Sequence, residues 1–242
     1  MSSLVIEVPS ISDSALEVMK RVIDENERTQ KIEDPESGPI PLANALSDFF
    51  QLAAGLEQQG QQLDSETASE LGHYAIDLVD RLSYQLRQLD IHDQRDNLAA
   101  VFVSLATWFA RRNATLDNLT GVADGFASLV NGAHASEELI ALSRLGDEIL
   151  ESATDELKLD ADRSDPWRPW RVLNLNLGIA ATRSLNVARI REVFGKLERR
   201  VPHDLPGFFA DGRRQMDAQD VPQEVRDVLT EFSEKWPFRS PH

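Results

Sequence analysis

The chain has 242 residues, 41% of them apolar, enough to fill the core of one large domain or two modest ones. Forty-one acids against twenty-five bases leave a net charge of −16, which repels phosphate backbones and argues against sequence-independent binding of nucleic acid. The absence of cysteine excludes disulfides, thiolate zinc sites, iron–sulfur clusters and thiol catalysis.

The opening MSSLVIEVPSISDS has neither a basic leader nor a long apolar run, and no stretch approaches the roughly 18 apolar residues of a membrane span. A cytoplasmic protein without membrane contact is the expectation. Apolar residues recur at steps of three and four almost throughout, without a sustained period of two, so the fold should be all-α. A first helix is expected over residues 12–28, capped by Ser12 or Asp13, with Ala15, Leu16, Met19, Val22 and Ile23 on one face. KIEDPESGPIP follows and forbids helix, so residues 1–41 read as a detachable helical arm and linker.

The pattern resumes at Leu42 with Leu46, Phe49, Leu52, Ala53 and Leu56. A long helix opened by Asp64 or Ser65 carries Leu71, Ala75, Leu78, Leu82, Leu86 and Leu89. After Asp93 a fourth helix carries Leu98, Val101, Phe102, Leu105, Trp108 and Phe109. A fifth begins near Leu116 and closes at Gly132, and a sixth is capped by Ser136. Residues 155–166 lose the stripe and form a second candidate linker. Beyond it, helices are expected near 170–184, 187–200, 206–218 and 222–235, separated at Pro202, Pro206 and Pro222. The short connections imply antiparallel helical hairpins, forming a bundle or a short α-solenoid. Residues 42–160 and 161–242 are two candidate units or one continuous domain, with net charges of −18 over 1–160 and +2 over 161–242.

Within the second part, RVLNLNLGIAATRSLNVARIREVFGKLERRVPHD, residues 171–204, resembles a tetratricopeptide repeat. Asn176-Leu177-Gly178 matches the first-helix motif, Phe194 the large aromatic of the second helix, and Pro202 the closing proline. Gly178 suits a close helix crossing and Phe194 the space between hairpins. A fainter unit covers 205–236, with Gly212 lying 34 residues beyond Gly178. The departures are Ala180-Ala181 where one aromatic is usual, Ile190 for a small residue, and Leu185-Asn186 in the turn. The resemblance implies a groove lined by Val172, Leu175, Ile179, Thr182 and Arg183, continued by Phe209, Arg213 and Met216. That wall is mostly apolar, so it suits a protein or peptide partner with an apolar or amphipathic face, or a second copy of the chain.

Three other features carry candidate chemistry. Glu66, Glu70, His73 and Asp77 lie at spacings of four, three and four, with the Glu-x-x-His step of di-metal bundles, although only one such pair exists. A solvated acidic face competes with the metal site. Arg183, Arg189, Arg191, Lys196, Arg199 and Arg200 form a basic cluster, which is either a solvated face complementing the acidic part or a patch for an acidic partner. Trp167-Arg168-Pro169-Trp170 is either a hydrophobic clamp at a helix entrance or an exposed aromatic–arginine platform built of Trp167, Arg168 and Trp170. No phosphate loop, serine elbow or zinc-protease helix occurs, so no cofactor is expected. The expectation is an interaction or scaffold protein, with a metal-dependent bundle enzyme and a structural homo-oligomer as alternatives.

Overall fold

The computed structural model describes residues 6–33, 36–161, 163–217 and 221–238; Asp34 and Pro35 of the first linker and His242 lie outside them. Among the described residues the chain forms α1 (Val8–Thr29), α2 (Pro39–Gln58), α3 (Ser65–Gln88), α4 (Arg95–Ala110), α5 (Thr120–Gly132) and α6 (Ser136–Glu151). A one-turn α7 (Asp155–Leu159) precedes α8 (Pro169–Arg183), α9 (Val187–Arg200), α10 (Leu205–Asp217) and α11 (Gln223–Lys235). The fold is all-α, with one isolated bridge between Leu116 and Ala153.

The reason α4 occupies the centre is visible in LAAVFVSLATWFA, thirteen residues without a charge. A helix apolar on every side is stable only when surrounded. It packs against α1, α3, α5 and α6, and buries eleven residues from Leu98 to Phe109. Its buried Thr107 hydroxyl is satisfied by donating to Val103 O at 2.7 Å.

The first helix is not a detached arm. It starts four residues earlier than expected, because Pro9 fits a first turn where its missing N–H is no loss. Val8, Ile11, Ala15, Val18, Met19 and Val22 are buried against α2, α3 and α4, while Leu16, assigned to the apolar face, is exposed. The cap comes from another helix: Glu57 Oε2 of α2 accepts the Val8 N–H at 3.3 Å. The same carboxylate accepts Trp108 Nε1–H at 3.1 Å, and Arg112 stacks 3.5 Å from that indole.

Asp64 caps α3 by accepting the Thr67 N–H at 2.9 Å, as the sequence implies. α5 starts later than expected, at Thr120. Leu116 instead pairs its backbone with Ser152 O and the Thr154 N–H, at 2.8 and 3.0 Å, tying this connection to the end of α6. The N-cap position of α6 is Ala135, and Ser136 donates its hydroxyl to Ser184 O at 2.5 Å. α8 joins the two halves of the chain, packing on α5 and α6 on one side and α9 on the other; α9 and α10 then both meet α11.

Candidate functional site

The C-terminal hairpins are shaped by small and aromatic residues at their crossings. A Cβ added at Gly178 would lie 2.7 Å from Phe208 Cζ and 2.9 Å from Leu197 Cδ1, so glycine there lets these side chains of α10 and α9 close onto α8. Behind the crossing, the Phe194 ring stands edge-on to Phe209 and Phe232, with centroids 5.0 and 5.1 Å away. The turn places Leu185 in the left-handed region at φ 57°, while Asn186 caps α9 by accepting the Arg189 N–H at 2.9 Å.

In front of the crossing lies an open groove of about 250 Å³ between α8 and α10, floored by Leu229 of α11. Leu175, Ile179, Thr182 and Arg183 form its α8 wall, as the sequence frame implies; Val172 is half-buried beside it and does not line it. The α10 wall differs. It consists of Phe208, Gly212 and Gln215, each one residue earlier than the expected Phe209, Arg213 and Met216. Phe209 is fully buried in the aromatic cluster, and Met216 is also buried. Arg213 is exposed and reaches Ser233 Oγ at 3.4 Å. One residue turns a helix by about 100°, so the shift sends Phe209 and Met216 into the core and leaves Arg213 outside the groove.

The groove's rim charges are already occupied. Arg183 donates to Val130 O and, at 2.5 Å, to Ala133 O, closing the C-terminal end of α5. Arg171 bonds Asp204 Oδ1 at 2.6 Å and Pro166 O at 2.8 Å, and Asp211 pairs with Arg214. Thr182 turns its hydroxyl back to Gly178 O at 2.8 Å. What remains for a ligand is the apolar surface of Leu175, Ile179 and Phe208, with the Gln215 amide beside it.

The basic cluster forms no free patch. Arg189, Lys196 and Arg200 converge on Asp147 of α6, at 2.7, 2.9 and 3.1 Å, with Glu151 and Glu192 completing the network. Burial pushes the Asp147 carboxyl up, but the Lys196 and Arg189 hydrogen bonds and the charges of Arg189 and Arg200 outweigh it and hold the group below its ordinary range. Arg191 pairs with Glu231 at 2.7 Å, and Arg199 donates to Gly195 O. The sequence shows the cations but not the carboxylate 42 residues upstream that gathers them.

The aromatic–arginine platform also comes apart. Arg168 is buried and grips Asp160 through Nε at 2.5 Å and NH2 at 3.0 Å, while NH2 also reaches Asp204 at 2.7 Å. Trp170 is buried and donates Nε1–H to Arg200 O at 3.2 Å. Trp167 alone of the three faces water, with 79% of its surface exposed.

Glu66, Glu70, His73 and Asp77 do not converge on a metal position. Among the described residues no three His, Asp or Glu side chains are arranged to hold one. The His73 ring instead places Nε2 3.0 Å from Thr115 O and 3.2 Å from Asp117 Oδ1, pinning the 113–118 connection against α3. Among the described residues no helix is long and apolar enough to cross a membrane. Compared with protein-family models, with curated proteins and with solved structures, the chain gives no match.

Proposed function

We propose that the protein is an interaction module that holds a peptide segment of a protein partner in the groove between α8 and α10. The observation that supports this reading is the pairing of apolar, half-buried Leu175, Ile179 and Phe208 with rim charges that are all engaged inside the molecule. Such a groove rewards apolar contact and offers no free charge to a carboxylate or phosphate. At about 250 Å³ it falls below the roughly 300–1,000 Å³ typical of sites that enclose a small molecule. It suits two or three apolar anchors of an amphipathic segment, with affinity concentrated in those few side chains.

Selection from a random peptide library displayed on phage, using the whole protein as bait, tests this. Enriched peptides should carry clustered apolar residues, and their affinity should fall at least about tenfold, near 1.4 kcal/mol, on Ile179→Gln. Equal affinity for wild type and an Ile179→Gln variant that retains its helical circular dichroism refutes the groove. A second copy of the chain as occupant would appear as concentration-dependent sedimentation that Ile179→Gln abolishes.

A further inference from the structure

A second concavity, of about 480 Å³, lies between α3, α4 and α5, and none of the groove residues belongs to it. Its volume lies within the range of small-molecule sites. Two glycines on one face of α5 line it and let that helix lie close on its neighbours. A Cβ added at Gly125 would sit 3.1 Å from the Ala99 Cα and carbonyl oxygen of α4, and one at Gly121 would sit 2.7 Å from Asp80 Oδ1. α5 therefore lies close on α4, and the Phe102 ring and the Asp80 carboxylate fill the space over Gly121.

The cleft is electrically polarised along its length. Gly121 fixes one end, where Asp80 of α3 accepts the Asn118 amide at 2.8 Å and Asp124 stands one turn further along α5. Asp80 is half-buried and, among the described residues, no cation forms an ion pair with it. Burial, reinforced by Asp77 and Asp124 and opposed by Asn118 and Arg87, holds its carboxyl above the ordinary value. The opposite end is cationic. Arg87 lies two turns beyond Asp80 on α3, about 10 Å at the helical rise per residue, and Arg95 opens α4 beside it.

Neither of those two guanidiniums reaches a carboxylate among the described residues. Arg21, Arg111, Arg168, Arg189 and Arg200 each end on a carboxylate. Among the described residues Arg87 bonds only the Ser83 hydroxyl, at 3.0 Å, and Arg95 only the His92 ring, at 2.9 Å. An arginine cannot accept, so His92 Nδ1 does, which leaves Nε2 as the protonated nitrogen of a neutral His92. Leu98 and Phe102 supply an apolar floor between the ends.

We propose that this cleft binds an elongated zwitterion, its ammonium end at Asp80 and Asp124 and its carboxylate or phosphate end at Arg87 and Arg95, with an apolar stem across Leu98 and Phe102. The separation of the ends excludes an α-amino acid, whose two charged groups are attached to one carbon, and favours a short peptide or an ω-amino acid. An unpaired half-buried carboxylate and two unpaired guanidiniums facing one cavity each gain a partner from such a ligand, which a purely apolar or singly charged molecule cannot provide.

Titration calorimetry of the whole protein with 6-aminohexanoate and triglycine, against hexanoate, hexylamine and glycine, tests the assignment. At least one of the two long zwitterions should bind, at least tenfold more tightly than the three controls. Arg87→Gln should reduce its affinity at least fivefold while leaving hexylamine unchanged; Asp124→Asn, at an exposed position, should reduce it without altering the fold, as should Asp80→Asn. Phosphoethanolamine, shorter and with a dianionic end, distinguishes a phosphate ligand by binding more tightly than glycine in wild type but not in Arg95→Gln. Failure of both long zwitterions to bind, equal binding of hexanoate, or affinity untouched by Arg87→Gln and Asp124→Asn overturns the proposal.

Discussion

Replacing Asp147 by asparagine tests how the two halves of the chain are joined. Asp147 on α6 is shared by Arg189, Lys196 and Arg200 of α9, and the Asp147 and Arg189 side chains are each 9% exposed. Removing one member of a buried ion pair costs about 3–5 kcal/mol, because the remaining charge stays desolvated. Here the cations keep other acceptors: Arg189 holds the Ser143 hydroxyl and carbonyl, Lys196 and Arg189 hold Glu192, and Arg200 holds Glu151. The low end of the range, about 3 kcal/mol, is therefore expected. With a urea m-value of about 3 kcal/mol/M the midpoint should fall by about 1 M. Tryptophan emission is a suitable probe, since Trp170 bonds the Arg200 carbonyl at the end of the same helix. The pH dependence follows from the sign of the shift. The folded carboxyl lies below its ordinary 3.8, so its contribution is complete above the unfolded value and disappears as pH falls through the folded one. The gap between wild type and Asp147→Asn should be constant above about pH 5 and narrow below about pH 3.8. A midpoint shift under about 0.3 M at pH 7, or a gap as wide at pH 3 as at pH 7, refutes the account.

Two helical glycines and the exposed tryptophan give two further tests. Gly125→Ala forces a methyl against the Ala99 backbone, which cannot turn aside, and should cost about 1–3 kcal/mol. Gly55→Ala, in α2 with nothing within 4 Å, should instead stabilise by about 0.5–1 kcal/mol; thermal melts of the pair that move in the same direction contradict the packing. Iodide should quench the protein mainly through Trp167, because Trp108 and Trp170 are buried and Trp236 is half-buried with its indole N–H held by Glu198. Trp167→Phe should remove most of the quenching, and an unchanged Stern–Volmer slope would place the accessible indole elsewhere.

The helices were legible because burial on one face imposes a 3.6-residue rhythm that sequence displays directly. Their ends were less so. α1 begins four residues early because its cap is Glu57, 49 residues away along the chain, and no local motif announces a cap borrowed from another helix. α4 was legible as a helix but not as the centre: its expected stripe is real, yet Ala99, Val103, Ala106 and Thr107 on the remaining faces are equally buried. The absence of charge from Leu98 to Ala110 was the available signal.

The candidate sites divide along the same physical line. The α8 wall of the groove lies inside one continuous helix, so its residues followed from spacing; the α10 wall depended on a 34-residue step carried across a break at Pro202 and Pro206. Adjacent phenylalanines make that step fragile, because Phe208 and Phe209 are equally good sequence matches while only Phe208 reaches the groove. The cations followed the opposite course. Arg168, Arg183 and Arg189 read as candidate binding residues in sequence, yet each is a tie to a distant segment: Asp204, the end of α5 and Asp147. Arg87 and Arg95, which carried no motif, reach no carboxylate among the described residues, as is true of Arg183, Arg199 and Arg213, and what sets them apart is that both line the cleft between α3, α4 and α5. In an acidic chain, a cation's value as a binding residue is set by whether the fold has already used it, and that property belongs to contacts between helices rather than to the helix on which it sits.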